Sequence, residues 1–124
     1  MSYKHTDGVG YSDDKKTLIK CPEKATEITI LEGVEHIDDN AFEDCTGLTS
    51  IVIPDSVTSI GDWAFYGCTG LTSIIIPDSV TSIGFRAFLQ CYSLKELLIP
   101  KGSKDKFLAM EGLVGLENLL VERD

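Results

Sequence analysis

Four cysteines carry the most versatile chemistry in this chain, at Cys21, Cys45, Cys68 and Cys91. Zinc and redox sites often bring two cysteines within about four residues of each other, and no such pair occurs here. The last three cysteines instead follow one another at a constant interval, which is the spacing of a repeat. Equivalent residues of stacked repeats can approach disulfide distance, but their side chains point in parallel, so we predict buried free thiols.

Nucleophilic catalysis would require a histidine beside an activated serine or cysteine. The chain has two histidines, and we place His5 in an N-terminal tail and His36 at an outward position. The serines recur with the repeat, whereas a catalytic nucleophile normally occurs once; the recurring serines are Ser50, Ser56, Ser59, Ser73, Ser79 and Ser82. The fingerprints of serine hydrolases, zinc proteases, P-loop proteins and dinucleotide-binding proteins do not occur in the sequence. We therefore predict a protein that is not an enzyme and uses no cofactor.

Carboxylates offer a third kind of chemistry, because hard cations such as Ca²⁺ bind oxygen ligands. Asp55 and Asp78 occupy equivalent positions one repeat apart and could form a ladder of cation ligands. Each could instead hydrogen-bond the main chain of its own turn, and we favour this second interpretation. An acidic cluster between residues 38 and 44 is interpreted as solvated surface rather than a metal site. A hidden enzymatic or metal-dependent activity in such a cluster is the weaker alternative.

The overall charge argues against two classes of partner. Eleven basic and twenty acidic residues give a formal net charge of −9, whereas nucleic acids and anionic membranes are bound by clustered Lys and Arg. No apolar run reaches the roughly 18–20 residues of a membrane-spanning helix. The N-terminal residues lack the apolar segment of a secretory signal, so we expect either an intracellular chain or an exported chain without its leader.

An internal repeat positions all of these residues. Residues 45–67 and 68–90 are identical at 18 of 23 positions. Residues 22–44 keep the same apolar positions more loosely, and residues 91–102 keep only the first half of the unit. Because one such unit leaves its apolar face uncovered, the units must stack. We therefore predict a single domain over residues 1–124, with these coils between two caps.

Each unit begins with the pattern C-x-x-L-x-x-I-x-I-P, in which alternating apolar residues indicate a short strand with one face in the core. Ile51 and Ile53 should point inward, and Pro54 should end the strand because proline has no N–H for the ladder. Val57 and Ile60 would return the chain along the opposite side as a second short extended piece. Ladders of Leu, Ile, Phe and Cys side chains would then fill the core.

The two ends of the stack need caps. Within residues 1–21 the segments GVGYS and TLIK flank the polar turn DDKK, a pattern typical of a β-hairpin. Within residues 103–124, Ser103 is expected to N-cap a helix that continues through Glu111 and stops at Gly112.

A fifth parallel strand is predicted after that helix. Residues 115–121 match residues 47–53 of the repeat, which would point Leu119 and Val121 into the core. The charged residues that follow would blunt the edge of this strand.

The repeated pattern LTSIxIPDSVTSIGxxAFxxC resembles the BspA-like, or Treponema-type, family of leucine-rich repeats, which share its 23-residue period. The resemblance also covers the N-terminal hairpin DGVGYSDDKKTLIKCP and the C-terminal segment PKGSKDKFLAMEGL. It implies an α/β repeat fold: a short right-handed leucine-rich-repeat solenoid with a parallel sheet, an N-terminal hairpin cap and a C-terminal helix-plus-strand cap. It also implies a cell-surface or secreted protein of bacteria or protists that takes part in adhesion and in contact with host or other bacterial cells.

Rows of outward side chains should cross the predicted sheet. The first row is Glu27, Ser50, Ser73, Glu96 and Asn118. The second row is Thr29, Val52, Ile75, Leu98 and Leu120. The second row is mostly apolar on a face that should meet solvent, and such a row can mark a partner site, although β-branched residues also simply suit strands. We name as the strand face the six candidate binding residues Ser50, Val52, Ser73, Ile75, Glu96 and Leu98.

The two near-copies differ mainly where each coil bends. Besides one Val/Ile exchange, the differing pairs are Asp62/Phe85, Trp63/Arg86, Tyr66/Leu89 and Gly67/Gln90. We interpret these positions as unnecessary for stacking, and therefore as sites of recognition or of tolerated surface drift. Trp63, Tyr66 and Phe85 form a second candidate binding surface, the aromatic edge, since aromatic rings suit both protein and carbohydrate contacts.

These observations favour a non-catalytic recognition or adhesion module. We expect a protein partner, with a glycan less favoured, bound through the strand face or the aromatic edge. A structural spacer within a larger cell-surface assembly is the alternative.

Overall fold

The computed structural model describes residues 8–123. The strands, in chain order, are β1 (Gly10–Tyr11), β2 (Thr17–Lys20), β3 (Glu27–Thr29), β4 (His36–Ile37), β5 (Ser50–Val52), β6 (Ser59–Ile60), β7 (Ser73–Ile75), β8 (Ser82–Ile83), β9 (Glu96–Pro100) and β10 (Leu120–Arg123). A short helix α1 (Lys104–Leu108) and two 3₁₀ turns, Glu111–Leu113 and Glu117–Leu119, lie between β9 and β10. Within the described range, no helix is long and apolar enough to cross a membrane.

One side of the solenoid is a sheet in the order β1-β2-β4-β6-β8. Strands β2, β4, β6 and β8 are parallel, with Ile37, Ile60 and Ile83 in register along the inner side. Strand β1 is antiparallel to β2, so an N-terminal hairpin extends this sheet rather than the opposite one. The predicted repeat solenoid of parallel strands with few helices is therefore confirmed.

The opposite side is divided into two smaller parallel sheets, β3-β5 and β7-β9-β10. Strands β5 and β7 lie side by side, but no ladder pairs them in the part of the chain described. Ile51 and Ile74, on the two strands that border this seam, are 9% and 1% exposed. The repeats thus stack continuously on one side and with a break in hydrogen bonding on the other.

The core is filled by ladders of like residues, as the repeat predicts. The Phe42 and Phe65 rings stack with centroids 4.9 Å apart and planes at 11°, and Phe65 stacks on Phe88 at 5.3 Å and 6°. Fully burying one such side chain contributes about 1.5–3 kcal/mol, and each ring pair adds about 0.5–1.5 kcal/mol. This aromatic stack therefore ties three successive coils together.

Aspartate side chains also join successive coils through the main chain. The amide of Asp62 donates to Asp39 Oδ1 at 2.8 Å, and the amide of Phe85 donates to Asp62 Oδ1 at 2.8 Å. Gly61 fits beneath Asp39, because an added Cβ would lie 2.6 Å from the Asp39 amide nitrogen. The interpretation that position 62 is unnecessary for stacking is therefore wrong, since its carboxylate binds the next coil.

The bends use left-handed backbone at two equivalent positions of each coil. The first position is held by Asn40, Trp63 and Arg86, with φ of 61°, 59° and 54°. The second is held by Asp44, Gly67 and Gln90, with φ of 60°, 76° and 63°. A non-glycine residue in this region costs about 1–2 kcal/mol, so the bulky Trp63 is held there by the surrounding coils.

The C-terminal helix differs from its prediction. Helix α1 ends at Leu108 instead of Glu111, and Ser103 makes no side-chain bond to its amides. The Ser103 hydroxyl is buried and donates to the carbonyl of Pro100 at 2.6 Å, so it closes the preceding turn. Gly112 lies in a 3₁₀ turn pressed against Gly84, where an added Cβ would overlap the Gly84 carbonyl.

The fifth parallel strand of this side is present with a register shifted by one residue. Leu120 pairs with Leu97, and Val121 pairs with Leu98. Leu120 is consequently buried and Val121 is 41% exposed, which reverses the prediction for both. The 3₁₀ turn Glu117–Leu119 causes the shift, because it coils residues that the overlay on the repeat treated as extended.

Candidate functional site

The strand face lies on β5, β7 and β9. Val52 and Ile75 are 54% and 51% exposed, and Leu98 between Ile75 and Val121 is half-buried. Val121 therefore takes the place predicted for Leu120 at the end of this row. The apolar row is therefore at least partly exposed along β5, β7, β9 and β10.

The polar part of the strand face borders this row. Ser50 is paired with Glu27, and Ser73 is paired with Glu96. Ser50 is exposed, and Ser73 and Glu96 are half-buried. Asn118 does not join the row, because it lies in a 3₁₀ turn before β10. Hydroxyl and carboxylate groups are thus available beside the apolar side chains.

The three residues of the aromatic edge meet in space. Trp63 contacts Tyr66 edge to face at 5.4 Å and 72°, and contacts Phe85 at 6.0 Å and 78°. The Arg86 guanidinium lies 4.8 Å from the Phe85 ring centre and 5.9 Å from that of Trp63. These cation–π and edge-to-face contacts stabilise the cluster itself, so part of its ring surface is already in use.

Two clefts adjoin the C-terminal cap. The larger, of about 640 Å³, lies between the outer side of β6 and β8 and the cap residues Lys106, Met110 and Glu111. The smaller, of about 410 Å³, is more apolar and is bordered by Phe85, Arg86, Leu89, Cys91, Tyr92 and Val114. The smaller cleft continues from the aromatic edge and reaches a cysteine.

The described histidine has a neighbour that sequence reasoning missed. His36 Nδ1 shares a hydrogen bond of 2.7 Å with Ser59 Oγ, and His36 Nε2 lies 4.0 Å from Glu35 Oε1. The 23-residue offset between His36 and Ser59 was the available signal, because it places them side by side on β4 and β6. Both the imidazole and the carboxylate are largely exposed, and 4.0 Å is too long for the hydrogen bond that orients a catalytic histidine. His5 lies outside the described residues.

Asp55 and Asp78 differ from their predicted role in the turns. The turns after Pro54 and Pro77 are closed by main-chain bonds from Val57 and Val80, of 3.1 and 3.2 Å. Among the described residues, neither Asp55 nor Asp78 accepts the expected hydrogen bond from its own turn, so that prediction is wrong. Asp78 instead faces Lys106, whose Nζ lies 3.2 Å from Asp78 Oδ1, and this ammonium competes with any cation for the carboxylate.

Two carboxylates of the acidic cluster bind the main chain. Asp38 Oδ1 accepts from the amide of Asp39 at 2.9 Å, and Asp39 Oδ1 accepts from the amide of Asp62. Within residues 8–123 no group of three or more His, Cys, Asp or Glu side chains could hold a metal ion. The Asp39 carboxylate therefore joins two coils, whereas the Asp38 carboxylate bonds within its own coil.

All four cysteines are free thiols. The neighbouring thiol in each case raises the pKa of Cys21 and lowers that of Cys45. The same interaction raises the pKa of Cys68 and lowers that of Cys91. The first three are buried and Cys91 is partly exposed.

Comparison with known proteins identifies the repeat. The family described as "BspA type Leucine rich repeat region" matches residues 15–107 in six copies. A search of curated proteins found no match. The matching family consists of leucine-rich repeat proteins of bacterial surface type and is not an enzyme family.

Three solved structures share the fold and are 30–42% identical to this chain where they match it. A leucine-rich cell surface protein of Faecalibacterium prausnitzii A2-165 is 42% identical over 62% of this chain and 20% of its own, with a TM-score of 0.59. A leucine-rich repeat protein of Eubacterium ventriosum is 33% identical over 94% and 32%, with a TM-score of 0.73. The pneumococcal vaccine antigen PcpA is 30% identical over 75% and 29%, with a TM-score of 0.62. The chain thus corresponds to between a fifth and a third of each relative.

Proposed function

The chain belongs to the BspA-type leucine-rich repeat family, and on that premise we propose that it is a non-catalytic recognition module that binds a protein through its strand face. Domains of this type generally mediate protein interactions. The observation that carries the proposal is the apolar row in which Val52, Ile75 and Val121 remain 41–54% exposed.

The chemistry of the strand face suits a protein partner. The apolar side chains are held by parallel strands, so binding orders little of the backbone and loses little entropy. Each Å² of apolar surface that a partner covers contributes about 25 cal/mol. The hydroxyls of Ser50 and Ser73 and the carboxylate of Glu96 border the row and can form the polar rim that protein interfaces use.

The aromatic edge is the second candidate surface, with a glycan as its possible ligand. Its Trp63, Tyr66 and Phe85 rings lie close together, which favours aromatic recognition. A sugar would need a free ring face, however, and the Arg86 guanidinium lies near the Phe85 and Trp63 rings. We therefore place protein binding on the strand face first.

The test compares three variants of the folded protein. The strand-face variant carries Val52→Thr, Ile75→Thr and Val121→Thr, which keep β-branched side chains and add polarity. The matched control carries Ile19→Thr and Val114→Thr, two exposed apolar residues outside the row. Extracellular proteins of host and bacterial cells are captured on each immobilised variant, and each captured protein is then purified and titrated by calorimetry.

The strand-face variant is expected to bind the purified partner with an affinity at least about tenfold lower than that of the wild type, which corresponds to about 1.4 kcal/mol. The control should bind like the wild type. The aromatic-edge variant, Trp63→Asn with Phe85→Asp, uses residues found at the equivalent positions 40 and 62. If only this variant loses a protein or a glycan-array ligand, the aromatic edge is the binding surface. If no surface variant changes any binding, the spacer alternative replaces the proposal.

A further inference from the structure

The ladder of thiols contains two pairs that differ in their access to solvent. Cys21 and Cys45 lie in successive coils, and so do Cys68 and Cys91. Cys21, Cys45 and Cys68 have 0% of their surface exposed, whereas Cys91 is partly exposed. The chain therefore contains one sealed pair and one pair that is open at a single thiol.

The open pair lies beside a cleft. Cys91 borders the apolar cleft of about 410 Å³ together with Phe88, Tyr92 and Leu116. Cys68 lies in the preceding coil, one ladder position away, and is covered by the core. A small reagent that enters the cleft would meet Cys91 first, and Cys68 would be the nearest thiol behind it.

The surroundings of the two thiols give them different chemical character. The Cys91 thiol donates to the carbonyl of Phe65 at 3.0 Å, and the Cys68 thiol donates to the carbonyl of Phe42 at 3.0 Å. The neighbouring thiol in each case lowers the pKa of Cys91 and raises that of Cys68. The more accessible sulfur is thus also the one favoured as thiolate, which is the form that reacts.

We propose that Cys91 and Cys68 form a site of reversible oxidation, at which a hydroperoxide is reduced and the two thiols become a disulfide. In the first step the Cys91 sulfur attacks the terminal oxygen of the hydroperoxide. The O–O bond breaks, an S–O bond forms, and the alcohol or water leaves with the thiol proton, so Cys91 becomes a sulfenic acid. In the second step the Cys68 sulfur attacks the Cys91 sulfur, the S–S bond forms, and water leaves with the Cys68 proton. Two electrons pass from the two thiols to the peroxide.

The spacing of the coils is compatible with this product. Equivalent residues of adjacent coils lie about 4.8 Å apart, which is within the range of about 4.4–6.8 Å between the Cα atoms of a disulfide. The two side chains point in parallel in the reduced protein, so the bond forms only after they rotate about their Cα–Cβ bonds toward each other. The bond would join the coil at residues 68–90 to the partial repeat at residues 91–102. It would lock the strand face across β7 and β9, which these two segments contribute.

The test uses hydrogen peroxide on the folded protein and takes the sealed pair as an internal control. After timed exposure, free thiols are alkylated in denaturant and the digested chain is mapped by mass spectrometry. We expect a linkage between the peptides of Cys68 and Cys91, with a loss of about 2 Da for the two hydrogens removed. It should form at least about tenfold faster than any linkage of Cys21 to Cys45, because burial protects thiols from reagents.

Single substitutions separate the two steps. In Cys68→Ala the sulfenic acid on Cys91 has no resolving thiol and should be labelled by a dimedone probe, whereas the wild type should show little label. In Cys91→Ser, Cys68 should stay reduced for as long as Cys21 does. The proposal is overturned if both pairs oxidise at equal rates in the folded protein, if wild-type Cys91 gains oxygen without forming the linkage, or if Cys68 oxidises in Cys91→Ser. Circular dichroism of each variant confirms that the compared samples are folded.

Discussion

The two near-identical coils, residues 45–67 and 68–90, match at 18 of 23 positions and yet make different interactions. Strand β5 of the first pairs backward with β3, and β7 of the second pairs forward with β9. Ser56 in the first coil is hydrogen-bonded, while the buried hydroxyl of the equivalent Ser79 has no partner among the described residues. Identical residues therefore make different interactions, depending on which coil lies on either side.

The cause is that a coil of a solenoid contacts mainly its neighbours. The first coil lies between two repeats, so both of its sides meet similar surfaces. The second meets a partial repeat and the C-terminal cap, where Gly112 lies against Gly84 and Lys106 binds Asp78.

The largest expected effect is in the aromatic stack. Phe65→Ala should lower the free energy of unfolding by about 3–5 kcal/mol, and Phe88→Ala by about 0.5–1.5 kcal/mol less. Phe65 stacks on a ring at each side, whereas Phe88 stacks on Phe65 alone among the described rings. Urea unfolding followed by circular dichroism measures both. A larger loss for Phe88→Ala would mean that the cap, and not ring stacking, dominates stability.

The second effect concerns the aspartate bond between coils. Asp62→Ala should cost about 1 kcal/mol of unfolding free energy, because the amide of Phe85 loses its acceptor. Asp62→Asn is the matched control, since its side-chain oxygen can still accept that bond. Phe85→Asp should bring no gain, because no equivalent coil amide follows it. The same urea titration applies, and equal losses for Ala and Asn would show that the bond contributes nothing.

The smallest effect distinguishes the two turn serines. Ser56→Ala should cost about 1 kcal/mol, because the hydroxyl donates to the carbonyl of Val34 at 2.8 Å and accepts from the amide of Gly33 at 3.1 Å. Ser79→Ala should leave stability unchanged or slightly raised, since it removes a buried polar group without a partner. Paired thermal melts resolve this difference. Equal losses at both positions would contradict the asymmetry between the coils.

Much of the fold could be predicted because two near-identical copies of the repeat reveal its period and its inward positions. The inward positions of Ile51 and Phe65 follow from alternation and from the period of the repeat alone. The predictions failed where the period ends: Ser103 bonds backward to Pro100, and a 3₁₀ turn shifts the register so that Val121 replaces Leu120 on the outer side. Aligning the cap residues with the repeat does not predict where the structure of the cap differs from that of the repeat.

The sequence predicted the exposed strand positions correctly but misjudged one position near the aromatic edge. Val52 and Ile75 are outward as alternation requires. Asp62 was interpreted as free to vary because its copy is Phe85, but its carboxylate binds the amide of that residue. A position that differs between two repeats can therefore still be needed for stacking in one of them. Here the aspartate is replaced by Phe85 where the series of bonds between coils ends.

The sequence by itself determined the repeat, its core ladders and its family, because each depends on a period that one chain displays. Only the tertiary structure decided which thiol is accessible, which carboxylates join coils and where the second sheet is interrupted. Those outcomes depend on contacts between successive coils, where the same side chain meets a repeat on one side and a cap on the other. The physical reason is that packing in a solenoid is set by neighbouring coils, and identical units acquire different neighbours as soon as the array has an end.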